Sequence, residues 1–137
     1  MTAHVERLRV EWVDTDASGR IHYTAGFRYF EAAEHALARK LLGGKLPQDL
    51  SIGGFPRVRV EANLRAGLVA GDVIECTAGV EEVGRSSVTY GFEVKRADGQ
   101  PCLDGRIVAV AIDDEGQTML LPAEIRGPYE AAMEAKR

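Results

Sequence analysis

From Arg57 to Ala66 the chain alternates without a break. Val58, Val60, Ala62, Leu64 and Ala66 stand between Arg57, Arg59, Glu61, Asn63 and Arg65. Successive side chains of an extended strand point to opposite faces, so this order puts every apolar group on one side of a sheet. A helix of the same sequence would scatter them around its axis. The residues that follow repeat the pattern in shorter runs. After the turn Gly71-Asp72, Ile74, Cys76, Ala78 and Val80 alternate; after Gly84-Arg85, Val88, Tyr90, Phe92 and Val94 do so. Asp98-Gly99 is a hairpin signal leading into Leu103 to Ile112, which is apolar on both faces and so predicts an internal strand. Four strands joined by short turns must pair antiparallel.

Upstream the period changes. Leu8, Val10 and Trp12 alternate with Arg7, Arg9 and Glu11, predicting a strand over Arg7 to Val13. From Thr24 to Leu42 the apolar residues Phe27, Phe30, Ala33, Leu37 and Leu41 recur at three- and four-residue steps, which predicts one long helix stopped by Gly43-Gly44. A last segment, Leu121 to Lys136, reads as a short amphipathic or frayed helix. The fold class is therefore α+β: one long helix against a five-stranded antiparallel sheet that can wrap around it. Hotdog, cystatin-like and PAS-like arrangements all satisfy this order.

At 137 residues the chain predicts a single domain spanning 1–137. Its 45% apolar and 28% charged residues exclude a disordered polymer. The 21 acidic against 17 basic residues leave a net charge of −4, which argues against nucleic acid as the main partner. The longest unbroken apolar run, Ile107 to Ile112, is far short of the ~20 residues that cross a membrane. The first residues hold no apolar targeting segment, and Cys76 and Cys102 sit in apolar surroundings as reduced core thiols, so a cytoplasmic location is expected. Three scattered histidines and two distant cysteines offer no metal-ligand spacing.

Chemistry gathers in Val13-Asp14-Thr15-Asp16-Ala17-Ser18-Gly19-Arg20-Ile21-His22-Tyr23. Two carboxylates stand two residues apart, just ahead of a helix start whose free N–H groups attract a developing negative charge. On pattern alone the same acids also read as an Asx turn that caps the loop.

The run D-T-D-A-S-G-x-x-H-Y, followed by F-R-Y-F-E, resembles the signature of the 4-hydroxybenzoyl-CoA thioesterase family, with its YbgC-like and FadM-like acyl-CoA thioesterases. Weaker similarity continues through A-G-D-V-I-E, the hairpin Glu82 to Ser87, and Leu121-Pro122. The resemblance implies a hotdog fold and hydrolysis of an acyl-CoA thioester to free acid and CoA, with no cofactor. By position, Asp16 matches the family's catalytic carboxylate, acting as nucleophile or as general base on water. The backbone N–H of Tyr23 matches the group that polarises the carbonyl. His22, Thr24 and Glu31 match positions lining the acyl site, Glu31 where one branch meets a substrate hydroxyl. Arg85 and Ser86 match a basic hairpin at the nucleotide end. Asp14 is expected to fix the turn, and Phe27, Phe30 and Phe55 to pack. The sequence departs from the YbgC-like branch in having His22-Tyr23 where that branch has Tyr-His. The resemblance also implies a homodimer or homotetramer, a form that would cover the open sheet edges. Two rivals share the fold: a non-catalytic acyl-binding protein, and a thioesterase acting on acyl-carrier-protein thioesters. A hydratase would need a D-x-x-P-x-H arrangement, which none of His4, His22 and His35 supplies.

Overall fold

The computed structural model describes residues 3–136. Strand β1 (His4–Arg9) precedes helix α1 (Ala25–Leu41). Strands β2 (Arg57–Leu64), β3 (Val73–Val83), β4 (Ser87–Arg96) and β5 (Pro101–Val110) follow, and helix α2 (Ala123–Lys136) comes last. The strands form one antiparallel sheet in the order β1-β3-β4-β5-β2. As its two apolar faces predict, β5 is internal, between β4 and β2.

Inward side chains from the central strands (Ile74, Cys76, Val80, Tyr90, Phe92, Val94, Leu103 and Ile107) meet Phe30, Ala33 and Leu37 of α1. Phe30 stacks on Phe92 with ring centroids 4.6 Å apart. That approach needs Gly105, because a Cβ there would lie 2.6 Å from the Phe30 ring. Gly43 and Gly44 stop α1 in the left-handed region, at φ +64° and +96°, with the Gly44 N–H returning to the Arg39 carbonyl at 2.7 Å. Both cysteines are free and buried.

Three sequence expectations are corrected. Strand β1 ends at Arg9 instead of running to Val13, because Glu11 and Asp14 bond reciprocally and wind Trp12–Asp14 into a 3-10 turn. Trp12, expected on the buried face, is 86% exposed. The last segment is a packed fourteen-residue helix, not a short or frayed one, with Ile125 and Tyr129 fully buried. It packs mainly against β3, so the sheet carries two helices on one face.

The third concerns the alternation of β2. Its apolar side does face the helices, since Val60 pairs with Ile107 and Leu64 with Leu103. Yet α1 leans toward β1 and β3, and β2 is an edge strand. Val58, Val60 and Leu64 are left 62%, 50% and 53% exposed.

Candidate active site

The β1–α1 connection is a tied loop. Val10 holds the end of β1 to the turn before β3, accepting from the Gly71 N–H and donating to the Asp72 carbonyl, both at 2.8 Å. The chain then closes a small hairpin in which Thr15 bridges Ile21 and the Asp16 N–H donates to the Arg20 carbonyl at 3.0 Å. Gly19, at φ +80°, makes the reversal possible. Ile21 donates to the Leu68 carbonyl at 3.0 Å, which anchors the hairpin to the β2–β3 connection.

The two acids diverge. Asp14 is buried, and its Oδ2 accepts from the Tyr29 hydroxyl and the Glu11 N–H, each at 2.9 Å. Its Oδ1 pairs with the Arg28 guanidinium. Burial pushes the Tyr29 hydroxyl up to about 12, so it stays a donor. Asp14 therefore ties loop to helix, as expected. Asp16 is exposed, and its Oδ1 accepts from the Ser18 N–H at 2.8 Å and the Ser18 hydroxyl at 2.6 Å. These bonds are the main reason its carboxyl lies below the ordinary 3.8; the nearby His22 adds to the lowering. Asp16 is thus both the Asx-turn acid and an ionised carboxylate at the surface.

Tyr23 lies two residues before α1, and its N–H donates to no other described residue. His22 donates from its backbone to the Asp14 carbonyl at 2.7 Å. Its ring Nδ1 accepts from the Thr24 N–H at 3.2 Å and lies 2.8 Å from the Thr24 hydroxyl. An open cavity of about 350 Å³ runs from this point along α1, lined by Val13, Asp14, His22, Thr24, Ala25, Phe27, Arg28 and Glu31. Phe27 is therefore a wall, where packing was expected, whereas Phe30 and Phe55 are buried. Asp16 and Tyr23 stand outside that lining.

The structure brings His22, Thr24 and Glu31 into one cavity lining, with Asp16 and Tyr23 in the connecting loop before α1, but not Arg85 and Ser86. Those two occupy the β3–β4 hairpin, beyond the far end of the eleven-residue strand β3, about 30 Å away at 3.3 Å per residue. The hairpin is braced. The Arg126 guanidinium donates to the carbonyls of Gly84 and Arg85 at 2.8 and 2.9 Å, and the Leu121 N–H reaches the Arg85 carbonyl at 3.0 Å. Sequence reading missed Arg126, and it missed Arg28, whose only signal was its place on the helix face that also carries Thr24 and Glu31.

A second polar cluster lies deeper along α1. Glu34 is buried, and its Oε2 pairs with Arg57 while Oε1 has no hydrogen-bond partner among the described residues. Burial is the main cause that raises its carboxyl from 4.5 to about 7, against the pull of Arg57. Nearby, the hydroxyls of Tyr90 and Tyr129 share a buried hydrogen bond of 2.9 Å. Among the described residues no helix is long and apolar enough to cross a membrane.

The antiparallel sheet carrying a long helix is shared with solved thioesterases. The thioesterase superfamily model matches residues 18–103, and the chain belongs to that family of thioester hydrolases. The matched span opens two residues after Asp16. A protein of Aquifex aeolicus (strain VF5), provisionally described as an esterase, is 28% identical over 117 residues, 77% of this chain and 90% of that protein. The structure of a predicted thioesterase from Bacillus stearothermophilus superposes with a TM-score of 0.81 at 25% identity, covering 95% of this chain and 96% of that one. A variant of 4-hydroxybenzoyl-CoA thioesterase, complexed with 4-hydroxybenzoyl-CoA, superposes at 0.83 with 20% identity, covering 94% and 99%. The hotdog arrangement is the fold.

Proposed function

We propose that the chain is an acyl-CoA thioesterase that works as a homodimer, with Asp16 as its catalytic carboxylate. The observation that carries this is the pairing of an ionised, exposed Asp16 with an unused Tyr23 N–H beside the entrance to α1. A thioester carbonyl held by that N–H would develop its negative charge near the positive end of the helix. Asp16 then either attacks the carbonyl carbon or takes a proton from the water that does. The C–S bond breaks and CoA leaves as thiolate; on the nucleophilic route water then hydrolyses the acyl anhydride formed on Asp16, and on either route the free acid is released.

The open cavity along α1 suits the acyl group, with Glu31 and Arg28 as its polar walls. Two features favour the dimer. The edge strand β2 exposes apolar side chains toward the helix side, and Asp16 has no cover from its own chain. A second copy joined antiparallel along β2 would continue the sheet. It would also turn the partner's β3–β4 hairpin, with its arginine, toward the end of the sheet that holds Asp16. That arrangement would let Arg85 and Ser86 meet the nucleotide of a CoA bound at the neighbouring site.

The test is thiol release from short, long, branched and aromatic acyl-CoAs, with acyl-carrier-protein thioesters in parallel. Turnover of at least one CoA thioester is expected. Binding of acyl-CoA without turnover would favour the non-catalytic reading, and turnover confined to carrier-protein thioesters would move the substrate class. Sedimentation at micromolar concentration is expected to give twice the chain mass or more; a clean monomer overturns the dimer.

A further inference from the structure

We propose that His22 is a second carbonyl donor, presenting its Nε2–H to the thioester oxygen alongside the Tyr23 N–H; this rests on the thioesterase reading above. Three observations define the ring. Its backbone is held by the buried loop, because the His22 N–H donates to the Asp14 carbonyl at 2.7 Å. Its Nδ1 is occupied, accepting from the Thr24 N–H at 3.2 Å with the Thr24 hydroxyl at 2.8 Å. A nitrogen that accepts from a backbone amide carries no hydrogen, so in the neutral ring the hydrogen sits on Nε2. Finally, His22 lines the cavity and also lies near Asp16. His22 is thus the residue that spans the carboxylate and the proposed acyl site.

The position suits the task. The peptide bond that His22 begins ends in the free Tyr23 N–H, so the two donors leave the chain at adjacent points. Two donors on one oxygen form the usual cradle for the negative charge of a tetrahedral intermediate. The Thr24 amide fixes the tautomer before substrate arrives. His22 moves no proton in this assignment; it donates one hydrogen bond that strengthens as the charge develops.

Two conservative variants separate this role from a purely structural one. His22→Asn places an amide oxygen where Nδ1 was, so it keeps the Thr24 contact and loses the outer donor. His22→Gln reaches the Nε2 position with an amide N–H and loses the Thr24 contact. With circular dichroism confirming folding, His22→Asn is expected to lower kcat at least ~10-fold with KM nearly unchanged, and His22→Gln to stay within about threefold of wild type. The reverse order, equal losses in both, or wild-type rates in both would overturn the assignment. Long-range 1H–15N correlation on the unaltered protein supplies a measurement that no variant can spoil: hydrogen on Nε2 is expected, and hydrogen on Nδ1 overturns the proposal. Wild-type protein that releases thiol from no thioester would defeat the functional reading itself, whichever way the tautomer stands.

Discussion

One carboxylate stands in the loop ahead of helix α1 and another at the middle of the helix, and the two are opposites. At its entrance Asp16 is exposed, held by Ser18, and shifted below the ordinary carboxylate value. At the middle of the helix, Glu34 is buried against Arg57 and shifted upward to about 7. The cause differs in kind: hydrogen bonds to the charged form lower the first, and desolvation raises the second. An acid with a strongly raised value would ordinarily be the functional suspect. Here the acid proposed for catalysis is the lowered one, which would need its charge to act. Glu34 lies among side chains that join α1, the start of β2 and, through the tyrosines, β4 and α2. Asp14 is an intermediate case: it is buried like Glu34, but its carboxylate is better supplied with donors.

The largest effect should come from removing the Asp16 charge. Asp16→Asn keeps the shape of the turn but can neither attack nor take a proton. Its kcat should fall at least ~10²-fold while circular dichroism stays native. A folded variant retaining more than about a third of wild-type kcat would break the contrast at its active end. The two roles open to Asp16 can also be told apart. Label carried from 18O-water into the Asp16 carboxylate in a single turnover identifies it as the nucleophile, since a base acquires none.

Glu34 should leave its mark on stability instead. Its folded value lies above the ordinary 4.5 of an exposed glutamate, so the native state binds the proton more tightly. That contribution is complete below 4.5 and is lost as pH rises toward about 7, a slope worth up to about 3 kcal/mol. Glu34→Gln should flatten the dependence of the urea midpoint on pH in this window while leaving kcat nearly untouched. A wild-type protein with no slope there would show that Arg57 keeps Glu34 charged throughout. Asp14→Asn should cost about 1–3 kcal/mol, because buried donors lose a charged acceptor, with a smaller loss of kcat than Asp16→Asn. Because Asp16 stays ionised to low pH, the acid limb of kcat/KM should appear only below 3.8. A limb well above that value would point to another group. The mildest change is expected for Arg85→Ala, a several-fold rise in KM for acyl-CoA with kcat unchanged and little effect on acyl-pantetheine, which lacks the nucleotide. Equal losses on both substrates would make the arginine structural.

The sheet was legible because a period of two survives wherever one face is buried. Strands β3, β4 and β5 lie where the alternation puts them, and β5 is internal as its two apolar faces require. The loop after β1 defeated the same rule. Trp12 continues the alternation, but the Glu11–Asp14 reciprocal bonds turn the chain out of the sheet before it. In β2 the period was right about the face and silent about cover, since exposure depends on which strand becomes an edge. The candidate site divides similarly. Asp14 and Asp16 stand together in the sequence, yet only packing onto Tyr29 and Arg28 separates a buried tie from an open carboxylate. The bracing role of Arg126 was invisible, because the main-chain carbonyls it holds lie more than forty residues upstream in the β3–β4 hairpin.

The bracing of that hairpin by α2 also bears on how the chain is made. All five strands leave the ribosome before Ala123 does. During synthesis the inner surface of β3, with Val80 and the Tyr90 ring beside it, must wait without its cover. Arg85 waits in a turn not yet held by Arg126. Until α2 emerges, the part of the β3–β4 face that α1 does not cover is therefore an exposed apolar surface, and this stage of biosynthesis is where a chaperone would have most to protect.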